Sequence, residues 1–188
     1  MFGTLSHDIK ERVVAVSIEL VKELRERTGA GIKDCKDILE QTEGNINKAI
    51  EVLRERGIEA AAKKSTREAK EGLIGVYVHY GSRIVGMVEL NCETDFVGRT
   101  EEFGSLANAL AQHIVALNPR YITEAEVTDE AVAESGLTRE NFVKENVLLA
   151  QLFVKDASRT IEEKLKEAIA KLGENIVVRR FVRYEIGA

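Results

Sequence analysis

Reactive side chains that converge are the first thing to look for in a chain, and this sequence of 188 residues offers few. Its two cysteines, Cys35 and Cys92, stand far apart with no neighbouring Cys or His. Zinc ligands come in closely spaced pairs, so neither thiol belongs to a metal set. Both read as small buried apolar side chains, with a disulfide or a reactive thiol as the alternative, and unpaired thiols suit a reducing compartment. His7, His79 and His113 are scattered singly and read as surface or partly packed residues. Cys92 lies beside Glu93 but lacks a local histidine to activate it. No glycine-rich loop ends in Gly-Lys-Ser/Thr, and no Gly-x-Ser-x-Gly occurs, so a phosphate cradle and a nucleophile elbow are both missing. The sequence therefore implies no catalytic residue, cofactor or metal.

Two other stretches carry unusual patterns. Leu24 to Lys36 runs Leu-Arg-Glu-Arg-Thr-Gly-Ala-Gly-Ile-Lys-Asp-Cys-Lys, a helix end, a glycine turn and the next helix start. Glu89 to Val97 runs Glu-Leu-Asn-Cys-Glu-Thr-Asp-Phe-Val, where a strand ends and a long helix is about to begin. Thr94 or Asp95 there is a natural helix cap. Phe96 has two readings, a core residue or an anchor protruding into a partner pocket. Lys63, Lys64, Arg67 and Lys70 form a small basic patch that is either a solvated face or a docking surface.

The elements that must position these residues follow from composition and periodicity. The chain carries 27 Lys+Arg against 32 Asp+Glu and is 44% hydrophobic with one Pro. That apolar fraction excludes disorder, and no run approaches the ~20 apolar residues of a membrane span. A chain of this size buries roughly 70% of its unfolded surface and needs no disulfide or metal to fold. Net acidity disfavours direct nucleic-acid binding, which needs clustered Lys/Arg. The start of the chain, with Asp8, Lys10, Glu11 and Arg12 after Met1-Phe2-Gly3, is no secretory signal, so a cytoplasmic location is expected.

Residues 1–16 form an N-terminal extension without strong pattern before Val13, Val14 and Val16. Residues 17–57 predict three short helices punctuated by glycine, carrying Ile18, Val21 and Leu24, then Cys35, Ile38 and Leu39, then Ile46, Ala49, Ile50 and Leu53. Residues 58–71, rich in Ala, Lys and Glu, predict a helical linker. From residue 72 to 188 the period changes. Leu73–Tyr80 and Ile84–Asn91 predict strands joined at Gly81-Ser82-Arg83. Phe103 to Leu117 predicts a long helix stopped by Asn118-Pro119, and residues 119–146 a weakly patterned, acidic peripheral insertion. Val147–Val154 is a short apolar run, and Thr160-x-x-Glu163 is a capping box that opens a helix closed by Gly173. Ile176–Ile186 predicts a final strand. The fold class is α+β: a three-helix domain, then a core of pattern ββα–αβ with an antiparallel sheet.

At the blocks Leu24–Lys36, Glu89–Val97 and Lys171–Arg180 the sequence resembles the bacterial elongation factor Ts family, guanine-nucleotide exchange factors of translation. The blocks occur in family order and the resemblance covers nearly everything after residue 17. It implies that residues 17–57 form a ubiquitin-associated-type domain and that the core binds elongation factor Tu. It implies further that Asp95 and Phe96, flanked by Thr94 and Val97, enter the partner near its magnesium and phosphate site, and that Arg25, Ile32, Lys33, Lys36 and Lys64 line a second contact. Short family forms pair their cores, which implies a homodimer. This chain departs from the family pattern at Ile32-Lys33, where many members carry two methionines. Gly98 stands in place of Ala or Ser, and Leu152 where some relatives have Pro.

The physical logic agrees with that role. Nucleotide is held by Mg²⁺ and by donors around its phosphates, so exchange must weaken those contacts, and the factor itself needs no nucleotide pocket. Linkage is reciprocal: a partner that lowers GDP affinity is itself released by incoming nucleotide. A competing class is an interaction module whose helical domain binds ubiquitin-like or nascent-chain partners. A small-molecule enzyme lacks any convergent titratable set.

Overall fold

The computed structural model describes residues 16–188, so the extension read over residues 1–16 and His7 lie almost wholly outside the described residues. The chain divides into two compact units that meet between Arg56 and Gly57. The fold class is the expected α+β, with helices first and an antiparallel sheet after.

In the first unit, helix α1 (Ile18–Thr28) is capped by Ser17, whose hydroxyl accepts from the Leu20 amide, and ends on Gly29 in the left-handed region. Helix α2 (Ile32–Gln41) follows two residues later, with its own start at Gly31 unassisted by any side chain. Helix α3 (Ile46–Lys64) begins where Asn45 accepts from the Lys48 amide, as its cap character predicts. Leu24, Cys35, Ile38, Leu39 and Ala49 are wholly buried against one another. Helices α1 and α2, of 11 and 10 residues, are marginal in isolation, so that shared apolar stripe is what holds them.

Helix α3 does not stop at Gly57 as the sequence pattern implies; it runs on to Lys64, and the chain then turns before the first strand. The predicted helical linker over 58–71 is thus helical only in its first half. Gly57 is tolerated within the helix because a Cβ there would press to 3.2 Å from the Ala170 methyl group. A small residue suits that close contact, at a helix-propensity cost of about 1 kcal/mol.

In the second unit, strands β1 (Glu71–Val78) and β2 (Ile84–Cys92) form the expected hairpin, closed by a bond from the His79 amide to the Ile84 carbonyl. Helix α4 (Asp95–Gly98) and helix α5 (Glu101–Leu117) follow, and Asn118 in the left-handed region ends α5 before Pro119. The last strand, β5 (Val177–Glu185), pairs antiparallel with β2, giving the sheet order β1-β2-β5. Residues alternate across such a sheet. Leu73, Gly75, Tyr77, Gly86, Val88 and Leu90 face α5; Ile74, Val76, Val78, Val85, Met87 and Glu89 face the other way. Helix α5 lies unusually close. A Cβ at Gly75 would run into the Ala107 carbonyl, and one at Gly86 would sit 2.8 Å from the Ala111 carbonyl.

The weakly patterned stretch after α5 is more ordered than its sequence implies. It holds helices α6 (Asp129–Ser135) and α7 (Arg139–Asn146), each capped by a threonine, around a small core of Val127, Phe142 and Val147. Arg139 pairs with both Glu124 and Asp129. The apolar run then gives a 3₁₀ turn and a short hairpin of β3 (Leu152–Phe153) and β4 (Asp156–Thr160). Leu152, where the family pattern varies, pairs with Thr160 and is exposed. Helix α8 (Ile161–Leu172) opens on the Thr160–Glu163 capping box and buries Ile161, Leu165 and Ile169.

His113 departs from its reading as a surface or partly packed residue: it is wholly buried in α5. Its Nε2 lies 2.9 Å from Gln151 Oε1, and its Nδ1 accepts from the Val154 amide. That pairing fixes a neutral ring protonated on Nε2, and burial lowers its pKa below the usual 6.5. Unfolded chains bind this proton more readily than folded ones, so stability is lost as pH falls below the unfolded value. We expect melting temperature to fall from about pH 7.5 to about pH 5.5 more steeply in the native chain than in His113→Gln. The close approach at Gly75 gives a second expectation. Gly75→Ala should cost about 1–3 kcal/mol of unfolding free energy in a denaturant titration. Gly104→Ala, on α5 with its nearest neighbour 3.9 Å away, should instead stabilise by up to about 1 kcal/mol.

Candidate partner-binding site

Strand β2 delivers the second motif block to the surface. Its last residue, Cys92, is buried, and its thiol donates to the Thr94 carbonyl at 3.1 Å. Burial, then the nearby Glu174 carboxylate, pushes the thiol pKa up, so Cys92 is a packing residue and not a nucleophile. Cys35 is likewise buried, free and shifted upward by burial.

Thr94 caps α4, its hydroxyl oxygen accepting from the Val97 amide at 3.5 Å. The four residues of α4 then divide between inside and outside. Val97 packs against the core, and Gly98 is buried where an added Cβ would meet Gly72 and Cys92 at 3.3–3.5 Å. Glycine therefore fits this departure from the family pattern without leaving a hole, while an alanine would be slightly tight. Asp95 is half-buried and pairs with Arg99 at 2.7 Å. Phe96 projects outward and is 82% exposed. Of its two sequence readings, the core residue is excluded by this placement, since the ring stands outside the core. An aromatic ring left almost wholly in water on a well-ordered turn is a poor arrangement for folding.

The turn before α4 is held by residues that sequence reasoning did not single out. Glu174 Oε2 accepts from the backbone amides of Glu93 and Thr94, both at 3.0 Å, and its Oε1 accepts from the Thr94 hydroxyl at 2.6 Å. In return, Glu93 Oε1 accepts from the Asn175 amide at 2.7 Å and pairs with Arg67 at 3.5 Å. Asn175 is buried, and its side-chain amide donates to the carbonyls of Ser65 and Arg67. Each carboxylate thus binds the backbone of the other segment, extending the β2–β5 ladder beyond its last paired residues. Hydrogen bonds to a charged acceptor cost about 1.5–3 kcal/mol each to lose. The available signal was positional: Glu93 and the pair Glu174-Asn175 fall in two of the three motif blocks.

The remaining expected residues distribute between the two units. Arg25, Ile32, Lys33 and Lys36 gather around the Gly29–Gly31 turn of the first unit, all exposed, with Ile32 61% exposed. Lys36 makes only a long i,i+4 pair with Glu40 at 3.8 Å. Lys64 lies in the second unit, half-buried, with its ammonium donating to the Ile169 carbonyl of α8 at 3.5 Å. The basic patch is partly neutralised, since Arg67 pairs with Glu93 and Lys70 with Glu68. Among the described residues no group of His, Cys, Asp or Glu is placed to hold a metal ion, and no helix is long and apolar enough to cross a membrane.

Comparison with known proteins places this sequence in a family. The family model described as elongation factor TS matches residues 1–141. The elongation factor Ts of Herpetosiphon aurantiacus is 49% identical, covering 93% of this chain and all of the relative. That of Thermosipho melanesiensis is 47% identical over 92% of this chain and 99% of its own length. That of Moorella thermoacetica is 46% identical over 89% and 93% respectively. With three quarters of its length matched by the family model and whole-length relatives at this identity, the chain belongs to the elongation factor Ts family.

Proposed function

We propose that this protein is a guanine-nucleotide exchange factor that binds elongation factor Tu·GDP in the cytoplasm and promotes GDP release and GTP reloading during translation elongation. It acts as a binding protein with no chemical step, cofactor, nucleic acid or membrane of its own. Family membership supports the role, and one observation carries the mechanism: Phe96 stands 82% exposed on a turn whose neighbours on either side are fixed.

In this reading Phe96 is the wedge. Seating it in an apolar pocket of the partner yields roughly 1.5–3 kcal/mol that folding left unused. Asp95 travels with it on the outer side of α4 and brings a carboxylate to the partner's Mg²⁺ and phosphate region, where a negative charge competes for donors that hold the nucleotide. Thr94 and Val97 fix the approach, one as the cap and the other as the inward anchor. Arg25, Ile32, Lys33 and Lys36 supply a second contact from the first unit, where exposed Ile32 offers the apolar element and the three cations a polar rim. Lys64 contributes from the end of α3. Over residues 17–64 the charges balance, ten basic against ten acidic, so the grip depends on this local grouping and not on a net field.

The same reading makes the protein a homodimer. The sheet face turned away from α5 is apolar and uncovered, with Ile74, Val76, Val78 and Tyr184 between 46% and 63% exposed. A second copy of this chain seated on that face would cover it, with the same patch meeting itself across a two-fold axis.

Two measurements test the proposal. Release of a fluorescent GDP from elongation factor Tu should accelerate when the protein is added, and Phe96→Ala should lose roughly 10- to 100-fold of that acceleration. The exposed-residue control Leu117→Ala should lose none, and equal rates for all three proteins would remove Phe96 from the mechanism. In sedimentation, the native chain should run as a dimer and Val76→Asp as a monomer with unchanged helix content; a native monomer would dispose of the pairing.

A further inference from the structure

We propose that Glu174 is the positioning residue of the wedge: its carboxylate fixes the angle at which Phe96 leaves the surface, without itself touching the partner's nucleotide. This rests on the exchange function proposed above. A helix of four residues is too short to sustain itself, because nucleation fixes several dihedrals for one hydrogen bond. Helix α4 must therefore be held from outside at both ends. Its rear is held by packing, through Val97 and buried Gly98. Its front is held by Glu174. The other bonds at that end are the Thr94–Val97 cap at 3.5 Å, which is long, a single helical bond from the Gly98 amide to the Thr94 carbonyl at 3.2 Å, and the weak donation from the Cys92 thiol.

Glu174 is suited to this because a single carboxylate takes three donors that lie on two consecutive residues of the turn. It is itself aimed. Gly173 ends α8 in the left-handed region at φ 82°, which turns the chain so that the next side chain points back at β2. The Asn175 amide is then caught by Glu93, so the carboxylate that holds the turn stands on a backbone the turn holds in exchange. Rotation of the 93–94 peptides would swing Asp95 and Phe96 together, and both ends of the lock oppose it. A ring displaced by about 1 Å at a reacting geometry can lose on the order of a hundredfold in rate.

The test uses the full-length chain and saturation kinetics of fluorescent GDP release from elongation factor Tu. Glu174→Ala removes all three acceptors and should lower the maximal rate roughly 10- to 100-fold, with the half-saturating concentration unchanged within about threefold. Glu174→Gln keeps the shape, one acceptor oxygen for the two amides and an amide N–H that can donate to the Thr94 hydroxyl oxygen, and should stay within about threefold of the native rate. Because Glu174 acts through Phe96, adding Glu174→Ala to Phe96→Ala should cost nothing further. A native maximal rate in Glu174→Ala overturns the assignment, as does an undiminished loss in the Phe96→Ala background, which a general structural role would give. Should Glu174→Ala fail to fold, Glu174→Asp carries the same test: it keeps the charge but is one methylene too short to reach the three donors of the 93–94 turn, and a native rate there overturns the assignment equally. Failure of the native protein to accelerate release refutes the exchange reading itself, whereas acceleration by the native protein with an unaffected Glu174→Ala refutes only the role of Glu174.

Discussion

Two carboxylates that each bind the other's backbone hold together the part of this molecule on which its surface chemistry depends. Glu174 closes over the amides of residues 93 and 94, and Glu93 closes over the amide of residue 175. Backbone amides at the end of a strand and at a helix start would otherwise need water. Here they are satisfied by charged acceptors, which makes the junction between β2 and α4 rigid at a place where a chain usually frays. An exposed aromatic ring needs that rigidity to be useful, because a ring on a mobile turn would give up in ordering what it gains in burial.

The rest of the second unit serves to bring those two segments side by side. Strands β2 and β5 run antiparallel with Asn91 opposite Val177, so the residues just beyond the ladder fall within side-chain reach. Helix α5 can lie flat on the sheet because Gly75 and Gly86 present no side chain to its backbone. That close packing gives a thin, well-filled layer on one face and leaves the opposite face to other surfaces. The first unit is built on a different plan, with three short helices around five wholly buried residues and its polar groups turned outward.

Much of this was legible in the residues. The Thr160–Glu163 box, Gly173, Asn118-Pro119 and the Gly81 turn each marked a boundary, because capping and turn chemistry is local and needs no knowledge of the tertiary fold. What failed was what depends on distant neighbours. Gly57 reads as a helix stop until Ala170 is seen against it. His113 reads as a surface or partly packed ring until Gln151 and the Val154 amide are found beside it. Helices α6 and α7 are too short to show a stripe, and their threonine caps are common residues. Of the candidate site, the motif block around Asp95 and Phe96 was visible, but whether Phe96 points in or out is not a property of its spacing. Glu174, following a helix-ending glycine, has the look of a solvated acid; its partners lie some eighty positions earlier.

The buried thiol of Cys92 has a use beyond packing. It lies directly beneath the 93–94 turn, bonded to the Thr94 carbonyl and touching the space under Gly98. Its sulfur is shielded in the closed form and its proton is held more tightly than in free cysteine. Modification of this sulfur by an alkylating reagent therefore requires the turn above it to open. The protein thus contains its own gauge of local opening, seated under the turn that carries Phe96.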